Sequence, residues 1–206
     1  MNATVQNNPV AGLNLGSLQG MDLETMMMMV QTERTKLLDS QLQSQIKAIS
    51  DRNNNIAKLN NVLNTLNAAA AAFSANAGPD DKIPNWNQAK IDSIEKPLND
   101  AIQSAGVTGL GFGPEKGQTS AVHTGNTHFN NLPGGENIMK GSTTKAQIDA
   151  AITKIKGAID NQSNSQQMDM LRLQSLTNKR NEAFDVMTNF IKKMQDSRSS
   201  IIGNMR

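Results

Sequence analysis

Cysteine does not occur anywhere in the 206 residues, which excludes disulfide staples, thiolate zinc sites and thiol nucleophiles together and leaves the redox compartment open. Tyrosine is absent as well, Trp86 is the one tryptophan, and aromatic residues make up only 3% of the chain. With 37% apolar residues this is thin material for a thick globular core, and it suits long helices better than a sheet. Charge is sparse, at 18% of residues, and nearly balanced at a net +2, so no nucleic-acid partner is implied. A cleavable secretory signal is not expected: there is no basic N-terminal region, and the apolar cluster at 26–30 follows Asp22 and Glu24 and is too short to span a membrane.

What the chain does have is helical periodicity. From Thr144 to Arg206 apolar residues recur at alternating steps of three and four: Ile148, Ile152, Ile155 and Ile159, then Leu173, Leu176, Ala183, Met187, Phe190, Met194 and Ile201. No glycine or proline falls between Ala158 and Ile202. A helix of that length runs about 90 Å, far beyond a small globular domain, so its stripe demands a long partner helix or copies of itself. Thr144 and Gln147 stand at capping-box spacing and mark its start. A first long helix is expected from Asp22, as N-cap, to about Phe73, within a segment 22–77 that stops at Gly78-Pro79. Its heptad seams are Met28, Thr35, Leu42, Ile49, Ile56, Leu63, Ala70 and Gln31, Leu38, Gln45, Arg52, Leu59, Leu66, Phe73. Gln45 and Arg52 take positions where Leu would stabilise more, and either fix register or turn that stretch toward water.

Residues 1–21 carry no charge and are rich in Asn, Gly, Leu and Val, a composition expected to be disordered or extended when alone. The middle, 78–142, holds most of the glycine and proline. A short helix is expected there, capped at Asn85 and Gln88, with Ile91, Ile94, Leu98, Ala101 and Ile102 on one face and Pro97 forcing a kink or a late start. Beyond it, 107–112 and 119–124 are the candidate strands of one small hairpin in an otherwise irregular, exposed lobe. The fold class read from these patterns is all-α dominated: a long antiparallel helical hairpin, a coiled coil, with an irregular Gly-rich middle lobe. Its segments are 1–21, 22–77, 78–142 and the C-terminal arm 143–206, which carries six acidic and ten basic groups.

No residue pattern supports catalysis. His123 and His128 lack companion ligands or a preferred nucleophile. The run Gly109-Leu-Gly-Phe-Gly-Pro-Glu-Lys-Gly117 resembles a phosphate loop but lacks the Gly-Lys-Ser/Thr ending and reads as a flexible tip. Asp80 and Asp81 read as turn residues, and the methionine run 26–29 as adaptable packing material or, alternatively, as a promiscuous contact surface. No enzyme activity, cofactor or metal is expected.

The stretches Leu18-Gln-Gly-Met-Asp-Leu-Glu-Thr-Met-Met-Met-Met-Val30 and Asn189-Phe-Ile-Lys-Lys-Met-Gln-Asp-Ser-Arg-Ser-Ser-Ile-Ile-Gly203, with the order uncharged segment, long helix, Gly-rich middle and terminal long helix, resemble the EspA-like filament-forming needle-tip proteins of bacterial type III secretion. In those stretches the likeness is nearest to the members secreted by Bordetella. The resemblance implies a non-enzymatic subunit, exported without a cleaved signal to the bacterial cell surface, that polymerises helically into a hollow conduit. Its implied partners are copies of itself, a secretion chaperone, the needle protein, translocator pore proteins and transiting unfolded effectors. The expected self-assembly contacts are Leu173, Leu176, Met187, Phe190, Ile191, Met194, Ile201 and Ile202, paired within a copy or between copies with Ile49, Ile56, Leu59, Leu63 and Leu66. Two alternatives follow from the residues alone: a soluble coiled-coil adaptor or chaperone acting as a discrete oligomer, and a small hydrolase built around His123 or His128.

Overall fold

A computed structural model describes residues 22–112 and 139–204. The uncharged segment 1–21, the expected strand at 119–124 and both histidines lie outside the described residues. The elements are α1 (Leu23–Ala71), α2 (Gln88–Lys90), a π-helical turn (Ile91–Glu95), α3 (Lys96–Ala105) and α4 (Lys145–Asn204). Helix α1 packs antiparallel against α4, as the heptads predict. Among the described residues there is no strand, only an isolated antiparallel bridge between Lys82 and Thr144. The expected strand at 107–112 therefore does not form. Contacts group the chain into two compact units, Ser50–Gln167 and Met1–Ile49 with Met168–Arg206. These do not follow the sequence segments, since each takes a stretch of both long helices.

Each long helix starts where its cap residue dictates. Asp22 accepts from the Thr25 amide at 2.7 Å, and that hydrogen bond is the main reason its carboxyl titrates below the usual range. A helix start leaves its first amides without intrahelical partners, and α4 satisfies them all. Thr144 N–H donates to Gln147 Oε1 at 2.9 Å and Gln147 N–H to Thr144 Oγ1 at 3.4 Å, the reciprocal capping box that the spacing predicts. The two amides between them, of Lys145 and Ala146, donate to the carbonyls of Asp81 and Pro79. The turn after Gly78, closed by the Asp81 carboxylate accepting from the Gly78 amide at 2.7 Å, thus caps the second long helix.

The short central helix forms with its start shifted. Asn87, not Asn85, is the N-cap, accepting from Lys90 N–H, while Asn85 adopts a left-handed φ of 51° that a short polar side chain tolerates. Pro97 sits in the first turn of α3. It lacks an amide to donate backward, and the register change at Ile91–Glu95, where Lys96 N–H reaches Ile91 O, falls just before it.

Where the middle segment is described on either side of 113–138, its apolar residues are buried rather than exposed. Leu59, Val62, Leu66, Ala69 and Phe73, Ile148, Ala151 and Ile155, and Leu98, Ala101 and Ile102 bury together with Ile83, Leu110, Phe112 and Met139. The glycines at 109 and 111 take φ of 73° and 85°, a conformation open to glycine without Cβ strain. Leu110 and Phe112 between and after them are buried. Helix α4 fixes this segment by Lys154 Nζ donating to Gly109 O at 2.8 Å and Gln147 Nε2 to Gly111 O at 3.0 Å. The Gly-rich run is therefore no flexible tip over 109–112. On the far side of residues 113–138, buried Asn99 grips Met139: its Nδ2 donates to Met139 O at 3.1 Å and its Oδ1 accepts from Met139 N at 2.8 Å. One carboxamide thereby satisfies both backbone groups of a fully buried residue.

In the Ser50–Gln167 unit a buried carboxyl oxygen is left without a partner among the described residues. Glu95, at the end of the π-helical turn, is buried, and its Oε2 has no hydrogen-bond partner among the described residues. Burial pushes its carboxyl up to about 7 against the opposing charges of Lys140 and Lys96. The folded chain therefore binds this proton more tightly than the unfolded one, so stability falls as pH rises from about 4.5 to about 7 and levels off above. Glu95→Gln should remove that slope, leaving melting near pH 4.5 unchanged and raising Tm at pH 8 by roughly 3–6 °C, an effect on the order of 1–2 kcal/mol. A second check concerns Gly141, where a Cβ would lie 2.6 Å from the Trp86 ring. Gly141→Ala should displace that ring at a cost of about 1–3 kcal/mol, visible as a shift in the fluorescence of the one tryptophan.

Candidate assembly surface

The remaining unit consists, among the described residues, of 22–49 of α1 and 168–204 of α4, and its burial is sparse. Thr35, Leu38, Gln45 and Ala183 are buried; the other seam positions, Met28, Gln31, Leu42 and Ile49 on α1 and Leu173, Leu176, Met187, Phe190 and Met194 on α4, are half-buried. Pairing is fixed by polar contacts. Gln45 Nε2 donates to Asp169 O at 3.2 Å and Asp169 Oδ1 at 3.1 Å. Arg180 Nε donates to Asp39 Oδ1, while its guanidinium lies 4.8 Å from the centre of the Phe184 ring one turn on. Thr35 returns its hydroxyl to Gln31 O, and Gln31 Oε1 has no partner among the described residues. Polar residues in a helix seam specify register at a cost in stability, so this pair is well aligned and weakly held.

Apolar residues off the seam stay in water. Leu23, Met27, Val30, Leu37 and Ile46 on α1, and Met168, Met170, Leu171, Val186, Ile191, Ile201 and Ile202 on α4, are the exposed large apolar side chains among the described residues. All twelve belong to this unit. On α1, Leu23, Met27, Val30 and Leu37 recur at steps of four, three and seven, a second heptad face offset from the buried one by roughly a third of a turn. On α4, Met170, Phe184 and Ile191 lie on one face at heptad spacing beside the seam. An open groove of about 770 Å³ lies where Gln41, Ser44 and Gln45 face Met168, Asp169, Leu171, Arg172, Ser175, Leu176 and Lys179.

The thirteen residues expected at assembly contacts divide by this geometry. Leu59 and Leu66 are buried in the core of the other unit, where Leu63 packs against them, and Ile56 is half-buried in the same unit. Their packing is met within one copy. Ile49, Leu173, Leu176, Met187, Phe190 and Met194 occupy the half-buried seam, whereas Ile191, Ile201 and Ile202 face solvent. Sequence reasoning missed the second face of α1. Its signal was present in the spacing of Leu23, Met27, Val30 and Leu37 but was overshadowed by the stronger heptad through Leu38 and Leu59.

Among the described residues no helix is long and apolar enough to cross a membrane. No family model matches the chain, and no curated protein or solved structure is significantly similar to it.

Truncations should separate the two roles. In dilute protein Leu66→Ala should cost about 2–5 kcal/mol in denaturant unfolding, because it empties a fully buried site. Ile191→Ala should change stability by less than about 0.5 kcal/mol.

Proposed function

We propose that this chain is a non-enzymatic structural subunit of the type III secretion needle-tip filament kind, self-assembling helically into a hollow conduit for unfolded effector proteins. The observation that carries the reading is the confinement of every exposed large apolar side chain, among the described residues, to the 22–49 and 168–204 pair. Isolated apolar residues on a surface need no explanation, but a dozen arranged on further faces of two already paired helices mark an interaction surface. Each side chain the size of Leu or Ile that leaves water adds about 1.5–3 kcal/mol, so copies packed along these faces would hold firmly where one copy is loose.

Other parts of the chain fit the same role. The two stretches that resemble the needle-tip filament proteins, 18–30 and 189–203, both fall mainly in this pair of helices. Contacts between unlike surfaces generate open filaments when the rotation between successive copies does not close a ring. The polar outer positions of α4, rich in Asn, Gln and Ser, would give an unfolded passenger little apolar surface to adhere to. Export through the needle without a cleaved signal places the protein at the bacterial surface. The needle protein at its base, translocator pore proteins at its far end and a secretion chaperone before export complete the partners. A discrete coiled-coil adaptor is the rival, and concentration separates the two.

Electron microscopy of the concentrated protein should show uniform tubes, and light scattering should grow with concentration. Ile191→Asp should abolish both while leaving helicity unchanged, because a charge at a contact between copies is costly to desolvate. Compact particles of fixed size at every concentration would establish the adaptor instead.

A further inference from the structure

Two polar side chains, one helical turn apart, stand where the chain returns to the core at residue 139. Glu95 and Asn99 are both buried, at 3% and 2% exposure, among Ile91, Leu98 and Ile102 of the same stretch. Asn99 binds both backbone groups of Met139. The next residue, Lys140, is also buried and closes a turn: its N–H donates to Thr143 Oγ1 and its carbonyl accepts from Thr143 N–H, each at 2.9 Å. Thr144 follows directly as the cap of α4, and Gly141 inside the turn lies against the Trp86 ring. Asn99 thus meets its partners, whereas Glu95 Oε2 has none among the described residues. Among those residues the charged groups acting on Glu95 are Lys140, from the turn, and then Lys96, its neighbour on α3; no group of α1 or α4 is among them.

A neutral carboxyl is tolerated at such a site, but a carboxylate with an unpartnered oxygen is costly, because burial disfavours the charged form. Loss of the proton therefore favours a movement that admits water. Helix α3 is the firmer side, since Leu98, Ala101 and Ile102 lock it into the core with α1 and α4. The turn at 140–143 belongs to no helix, and the two Asn99 hydrogen bonds hold its leading residue to α3. We propose that Glu95 is a pH-sensitive catch: neutral, it lets the 139–143 turn close on α3, and ionised, it drives that turn off the helix and loosens the start of α4. The fall in overall stability with pH follows from burial alone; the catch adds that the turn opens while the rest of the unit stays folded. All of its residues lie in the Ser50–Gln167 unit, so it operates whether or not copies assemble.

Amide hydrogen exchange, expressed against the intrinsic rate at each pH, reads the turn separately from the core. Between about pH 5 and pH 8 the Met139, Lys140 and Thr143 amides should lose about tenfold in protection, because the closed turn holds the Glu95 proton more tightly than the open one. At every pH they should exchange faster than the core amides of 62–69, with helicity by circular dichroism constant. Emission from Trp86, which lies on Gly141, should shift to the red over the same range. Glu95→Gln keeps the shape without the titration and should hold the turn closed throughout in both readouts. Lys140→Met removes a charge that favours the carboxylate, so the midpoint should move to higher pH. A loss of protection that survives in Glu95→Gln, or a midpoint unmoved in Lys140→Met, would overturn the catch. Turn amides that exchange in step with those of 62–69 would overturn it as well, since the whole unit would then be opening.

Discussion

The heptad seam on α1 is the constraint from which the rest of the structure follows. The positions from Met28 to Phe73 that repeat at three and four residues are all buried or half-buried, and they dictate that α1 spend its length against an antiparallel partner. Composition then makes the outcome uneven. Over Leu59, Leu63, Leu66 and Phe73 the seam is apolar and, with Val62 and Ala69 beside it, meets further segments of chain from 78–112 and 139–155, giving a core with many fully buried side chains. Over Gln31, Thr35 and Gln45 the seam is polar and, among the described residues, meets α4 alone. Two helices cannot cover one another, since a stripe wider than the contact line remains in water. The same seam thus yields a stable unit in one stretch and a sparsely buried pair in the other.

Polar contacts take over where apolar ones run thin. Gln45 with Asp169 and Asp39 with Arg180 fix the alignment of the loose pair. The exposed ion pair adds little stability by itself, because solvent screens it. Direction is therefore specified more strongly than affinity. Under the proposed role, in which the subunit is threaded through a narrow channel and then locks into a polymer, that balance is useful: helices that separate easily alone and pack firmly in company.

Much of this was legible from the residues. The two long helices, their caps at Asp22 and Thr144 and the seam itself follow from periodicity and capping chemistry, because these are local signals. The middle segment was read less well, for a physical reason. Glycine at 109 and 111 marks positive φ equally for an exposed tip and for a chain turned inward, and only the contacts of Leu110 and Phe112 with distant helices decide between them. The cap at Asn87 was missed because Lys90, three residues on, gives it no capping-box signal, whereas Asn85 with Gln88 has that spacing. The candidate surface was half visible: Ile191, Ile201 and Ile202 were among the expected contacts on the terminal helix, whereas the second face of α1 is hidden in sequence behind the stronger seam on the same helix.

The central claim is that one copy leaves the 23–49 and 168–204 helices under-buried and that further copies complete them. Amide hydrogen exchange, measured on dilute and concentrated protein, addresses this most directly, since it reads local opening segment by segment. The account predicts fast exchange over 23–49 and 168–204 in dilute protein, strong protection of the same residues when concentrated, and protection over 55–71 and 145–160 that does not change. Equal exchange over 23–49 and 168–204 at both concentrations would contradict it.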